Sequence, residues 1–143
     1  MKRALACGLF FCLFTLLLVG CQKKPDLSLL KIEEGSAPMA VQNFVREQSG
    51  RNGVDLYSDG VHGDYIFLNA FNVEQGEKAV CFSEITCAIS DETLSIYFSE
   101  NPTKYRNGEI NNKAIYKIDS SIEYDTIRIF KNGQEIAFDV VGA

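Results

Sequence analysis

The sequence predicts an α+β domain, with one amino-terminal helix packed on a single twisted, mainly antiparallel sheet of about six to seven strands. Three observations carry that expectation. Met39, Val41, Phe44 and Val45 recur near the helical period between a Ser36/Pro38 start and a Ser49-Gly50 stop. Aromatic and β-branched runs, above all Tyr65-Ile66-Phe67-Leu68-Asn69-Ala70-Phe71, dominate the rest of the chain. Asn132-Gly133 lies between two apolar stretches, and that dipeptide suits a hairpin turn needing positive φ at both central residues.

Taken in order, residues 27–33 read as a short first strand, with a short helix as the alternative. Gly35 breaks the chain, Ser36 is a candidate N-cap, and Pro38 suits the first turn of a helix over residues 38–49. Val54 and Leu56 alternate with polar neighbours. Residues 59–64, with Gly60 and Gly63, are turn chemistry ahead of the 65–71 strand. Residues 74–77 turn the chain into a long strand at 79–89, and residues 90–93 connect it to Leu94-Ser95-Ile96-Tyr97-Phe98. Residues 99–113 lack apolar periodicity and read as the longest exposed loop. Strands at 114–118, 126–130 and 135–141 complete the domain.

The length of 143 residues suits one domain, and 46% hydrophobic with 11% aromatic content excludes wholesale disorder. A net charge of −5 argues against a nucleic-acid partner, which calls for a basic face.

The first residues are a targeting segment rather than part of the fold. Met1-Lys2-Arg3 precede a nearly unbroken apolar run over residues 4–19, a basic region followed by a short apolar one. That run is short for a membrane span, which needs about 20 apolar residues. It ends in Leu18-Val19-Gly20-Cys21, which resembles the lipobox of bacterial lipoproteins. The resemblance implies a signal peptide at residues 1–20 that is removed. It also implies a diacylglycerol and a fatty acid on Cys21 and a tether over residues 21–26; no cofactor beyond that lipid is expected. The single domain at 27–143 would then sit in the cell envelope outside the cytoplasm. The alternatives are an ordinary secretory signal or an uncleaved anchor. Two acyl chains hold a protein stably, since each buried CH₂ contributes about 0.8 kcal/mol.

Of five cysteines, Cys7 and Cys12 lie in the signal and Cys21 takes the lipid, leaving Cys81 and Cys87. Outside the cytoplasm such a pair is a candidate disulfide. In one straight strand they share a face but lie about 20 Å apart at ~3.3 Å per residue. A bridge needs Cα atoms within about 7 Å. Either the strand bends sharply, or both thiols are buried small hydrophobes.

The order of pieces carries a second resemblance. A strand leads to Gly35-Ser36-Ala37-Pro38 opening a helix, then an Asp59-Gly60 turn into Tyr65-Ile66-Phe67-Leu68. A turn at Gly76 feeds a long strand, followed by Leu94-Ser95-Ile96-Tyr97-Phe98-Ser99-Glu100 with Pro102 behind it. Over about residues 27–131 this resembles the PrcB-like family of lipoproteins, small subunits of surface protease complexes. Where that family shows a Gly-Gly-Tyr turn, this chain has Gly76-Glu77-Lys78-Ala79-Val80, and the family's Pro-Gly loop is reduced to Asn101-Pro102. The resemblance implies a non-catalytic role: binding, stabilising or maturing a partner protein.

Candidate chemistry is sparse. Asp55, Asp59 and Asp64 lack the every-second-residue spacing of a calcium loop and read as turn residues. His62, the one histidine, has no nucleophile at recognisable spacing, and Cys81 sits between Val80 and Phe82 with no base nearby. No metal site and no enzyme are expected. Tyr65, Phe67, Phe71, Phe82, Tyr97 and Phe98 read mostly as core. One helix covers only one sheet face, so Tyr57, Tyr97, Tyr105 and Tyr116 are the candidate interaction surface. The expected protein is a membrane-anchored lipoprotein that binds a protein partner, with small-ligand or envelope-polymer binding as the alternative. Cys21→Ala should yield an unprocessed or secreted form; unchanged partitioning into a detergent phase would overturn the lipoprotein expectation.

Overall fold

The computed structural model describes residues 26–103 and 110–143. Among these lie one α-helix, α1 (Met39–Gln48), and nine strands. The strands are β1 (Leu27–Ile32), β2 (Gly53–Ser58), β3 (Asp64–Asn69), β4 (Val80–Ser90), β5 (Thr93–Pro102), β6 (Lys113–Ser120), β7 (Thr126–Lys131), β8 (Gln134–Ile136) and β9 (Val140–Gly142). The α+β class and the single helix hold, but the strands form two sheets rather than one. A five-stranded sheet runs β1-β6-β3-β2-β9 and a four-stranded sheet runs β4-β5-β7-β8. Pairing is antiparallel except for β2 with β9 and β5 with β7.

The reason is written in β3. Its side chains alternate between faces, and both faces are apolar. Tyr65 and Phe67, with Tyr57 of β2 and Ile115 of β6, pack against Val41, Phe44 and Val45 of α1. Ile66 and Leu68, with Val54, Leu56, Ala114, Tyr116 and Ile118, pack against Phe82, Leu94, Ile96, Phe98 and Ile129 of the second sheet. The molecule is therefore three layers, helix on sheet on sheet. A tilted ring contact pins the helix to its sheet, Phe44–Tyr57 at 5.5 Å between centroids, and an edge-on contact braces β4 against β5 within the second sheet, Phe82–Phe98 at 5.8 Å.

Several local expectations change. Ser36 does not cap α1; it closes a 3₁₀ turn over Glu34–Ser36, and Pro38 occupies the cap position without a side-chain cap bond. Gln42 instead reaches back from the helix to the Ala37 carbonyl at 2.8 Å. The supposed loop at 99–113 is partly strand, because β5 continues to Pro102 paired with the first part of β4. Its polar residues are legible only as partners of that strand. Residues 104–109, including Tyr105, lie outside the described residues, as do the expected signal peptide at 1–20 and Cys21. The 135–141 segment is split: β8 stays with β7, and Asp139 carries the chain across to β9 beside β2. Phe71 is 65% exposed, because β3 ends at Asn69.

Both hairpin turns of the four-stranded sheet use left-handed residues. Asn132 and Gly133 sit at φ 51° and 79°, and Asp91 and Glu92 at 49° and 61°. Among the described residues no helix is long and apolar enough to cross a membrane. A Cβ at Gly133 would meet no atom within 4 Å, so Gly133→Val should act through the backbone alone. A loss of about 1–2 kcal/mol in unfolding free energy is expected from forcing a β-branched residue to positive φ. An unshifted denaturant midpoint would overturn the turn assignment.

Candidate functional site

The strand registers define two ends of the molecule. Gly53 pairs with Asn69, and Asn69 with Lys113, at one end; Leu27 pairs with Ser120 at the other. At the Gly53/Asn69 end a groove of about 440 Å³ opens between the two sheets. Asn52, Asn69, Asn72 and Asp139 line one side, and Glu100 and Lys131, 3.6 Å apart as an ion pair, belong to the other.

Asparagine side chains build the wall. Asn69 is only 2% exposed. Its amide donates to the Arg51 carbonyl at 2.6 Å and the Ser49 carbonyl at 3.3 Å, and its Oδ1 accepts from the Phe71 N–H at 3.2 Å. Asn52 reads the Asn72 backbone from both sides, donating to its carbonyl at 2.6 Å and accepting from its N–H at 2.9 Å. Asn72 in turn donates to the Ser49 carbonyl at 3.2 Å. These bonds tie the residues after β3 to the turn after α1. The floor is fixed by Asp139, which accepts from the Val54 N–H and donates its own N–H to the Val54 carbonyl, both at 2.8 Å.

Next to this wall, on the helix side of β2, lies Asp55, 1% exposed. Its Oδ1 takes Arg51 and the Val140 N–H, the latter at 3.1 Å, while its Oδ2 has no partner. Burial pushes its carboxyl above the usual aspartate value; Arg51 opposes that and the nearby Asp139 adds to it. This pair joins the turn after α1, the centre of β2 and the start of β9.

The three aspartates of the sequence do not converge. Asp59 accepts from the Val61 and His62 N–H groups at 2.9 and 2.8 Å, from the His62 ring and from the Tyr57 hydroxyl, and those bonds hold its carboxyl well below the ordinary range. Asp64 takes the Tyr124 hydroxyl instead. Among the described residues no group of three His, Cys, Asp or Glu side chains is placed to hold a metal. His62 sits in the exposed turn beside Asp59.

The three described tyrosines of the expected surface, Tyr57, Tyr97 and Tyr116, do not share a face. Tyr57 is buried under α1 and Tyr116 between the sheets. Tyr97 is 41% exposed on the outer face of the four-stranded sheet. There it stacks on Phe130 at 4.8 Å, and Arg128, paired with Glu135, lies over the Phe130 ring. Cys81 and Cys87 are free thiols. A bulge between Ser83 and Thr86, with Glu84 at φ 54°, shifts the alternation of β4 between them. Cys87 therefore packs toward the core, where burial raises its thiol pKa, while Cys81 neighbours the inward Phe82 and takes the outer face.

The sequence reading missed the asparagine wall and the exposed Phe71. The tetrapeptide Asn69-Ala70-Phe71-Asn72 carried the signal, since two asparagines flanking an aromatic end a strand by bonding the backbone. Comparison with family models, curated proteins and solved structures returns no match for this chain.

Removing Arg51 leaves Asp55 buried without its counter-charge. Arg51→Met should cost about 2 kcal/mol at neutral pH, less than a fully buried pair because the arginine is partly exposed. The Asp55 carboxyl titrates above its unfolded value, so its contribution favours folding below the ordinary 3.8 and is lost as pH rises through the folded value. Unfolding midpoints of the variant and the native chain should converge as pH falls toward 3.8. A difference independent of pH would show that Arg51 acts by packing alone.

Proposed function

We propose that this chain is a lipid-anchored, non-catalytic protein-binding module of the bacterial cell envelope, an accessory subunit of a protease or other envelope complex. The lipobox resemblance ending at Cys21 supports the anchor, and the element order supports the accessory role. The observation that carries the binding reading is Phe71. A large apolar side chain stands 65% exposed on a segment whose backbone is held by Asn69, Asn52 and Asn72. A chain free to relax would turn such a ring toward apolar neighbours, since burying a phenylalanine gains about 1.5–3 kcal/mol. Fixing it outward, next to Val73 and a hydrogen-bonding groove, pre-organises an aromatic anchor with a polar rim.

Position supports the same reading. The tether would enter at Leu27, whose partner Ser120 lies at the end of β6 opposite Lys113 and the groove. The length of β6 separates the two by about 25 Å. An anchored domain would thus present Phe71 and the groove away from the lipid surface.

The groove itself favours a second reading, a small polar ligand or an envelope polymer, because its volume falls within the range of ligand sites and its wall offers fixed amides. The two separate in one experiment: cross-linked pull-down of the tagged, lipidated protein from membranes, with Phe71→Ser alongside. One stoichiometric protein partner is expected, bound about 30-fold more weakly by the variant at unchanged thermal midpoint, as for loss of an aromatic hot spot. A protein recovered alone, or a partner indifferent to Phe71→Ser, would overturn the proposal; ligand mass in native mass spectrometry would then favour the groove.

A further inference from the structure

We infer that the lower part of β4 is a self-association edge, at which a second copy of this chain pairs antiparallel about Cys87 to join the two four-stranded sheets into one. β4 is the outermost strand of its sheet, with no strand beyond it among the described residues. Its upper part is already occupied: the Phe82 N–H donates to the Asn111 carbonyl at 2.7 Å, and the Asn111 amide donates to the Phe82 carbonyl at 2.8 Å. Below the bulge at Glu84 the edge is open.

The hairpin fixes which backbone groups point outward. Ser90 and Thr93 flank the two-residue turn and bond each other, so Thr86, Ala88 and Ser90 face β5. Ile85, Cys87 and Ile89 then direct their N–H and C=O groups away from the sheet. An open row of this kind is a template for another strand unless charge, proline or shortness blunts it. The other edges are blunted: β8 and β9 are three residues each, and β1 carries Lys31. Residues 85–89, Ile-Thr-Cys-Ala-Ile, carry neither charge nor proline.

The occupant follows from the pattern of those five residues, which reads nearly the same in both directions. Antiparallel pairing centred on Cys87 sets Ile85 opposite Ile89 of the second copy, and Thr86 opposite its Ala88. Apolar side chains then meet on the core side, where Ile85, Cys87 and Ile89 are half-buried at the margin of the same core that Leu27 and Leu29 of β1 join. Small side chains meet on the outer side. The flanking acids do not collide: Glu84 falls opposite Ser90 of the second copy, and Asp91 opposite its Ser83. Two-fold symmetry makes this contact closed, so it yields a dimer rather than a fibre.

The test uses the full chain in detergent, with mass read by light scattering and folding by circular dichroism. Thr86 and Ala88 are exposed and face outward, so substitutions there spare the core. The native chain is expected to be a dimer. Thr86→Lys with Ala88→Lys, which opposes lysine to lysine in both flanking pairs, should weaken association about tenfold. Thr86→Lys with Ala88→Glu, which opposes lysine to glutamate in the same pairs, should retain the dimer. A monomeric native chain, or a dimer indifferent to the double lysine variant, would overturn the inference.

Discussion

The five-stranded sheet has to be covered on both faces, and the rest of the structure answers that constraint. β3 presents Tyr65 and Phe67 to one side and Ile66 and Leu68 to the other, and all four are buried. One ten-residue helix covers only part of one face. The second face needs its own layer, and the four-stranded sheet supplies it through Leu94, Ile96, Phe98 and Ile129. Once that layer exists, the chain must cross between sheets. It does so after β3, after β5, after β6 and at Asp139. The groove lies where β3 and β8 both leave their sheets, at the Asn69/Gly53 end of the sandwich.

Crossing segments carry unpaired backbone groups, and burying them without partners is costly. The asparagines near the groove answer that cost. Asn69, Asn52 and Asn72 act as local substitutes for a strand, matching carbonyls and N–H groups that the sheet can no longer reach. Asp139 does the same for Val54 while the chain passes from β8 to β9. A rigid groove wall is the by-product of satisfying a topology. That rigidity is also what a recognition surface requires, since a fixed anchor loses less conformational entropy on binding.

The helix, the Asn132-Gly133 turn and most strands were legible in the sequence because each is set by local chemistry: period, turn geometry, β-branched content. The second sheet was partly legible. The unbroken apolar run at 65–68 implies burial on both faces, yet a one-sheet reading left one face to a single helix. What stayed hidden depends on partners distant along the chain. The polar strand at 99–102 exists only because residues 80–83 lie beside it. The split at residues 137–139 follows from the Asp139–Val54 bonds, 85 residues apart. The tyrosines failed as a surface for a similar reason. Tyr57 and Tyr116 alternate correctly along their strands, but both faces of those strands turn out to be inside. The cysteine register was hidden by one extra residue at the bulge, which flips every later side chain of β4.

Under the lipid-anchored reading, charge placement has a mechanical consequence. Asp26 opens the domain, and the turns holding Asp59, Asp64, Asp91, Glu92 and Asp125 lie at the same end. In the sequence Lys23 and Lys24 lie between Cys21 and Asp26, so under this reading they would belong to the tether. Anionic headgroups attract the tether and repel the acidic end over a Debye length of about 8 Å. A short tether would prevent escape, so under this reading the domain would stand off the surface, held from its acidic end. Under that reading the open edge of β4, which runs from the Asp91 turn toward the groove, would be within reach of a neighbour anchored in the same membrane. Confinement to one plane raises the effective concentration of such neighbours. An edge contact of modest affinity would then be occupied more fully on a membrane than in dilute solution, so the anchor would favour pairing at the strand edge.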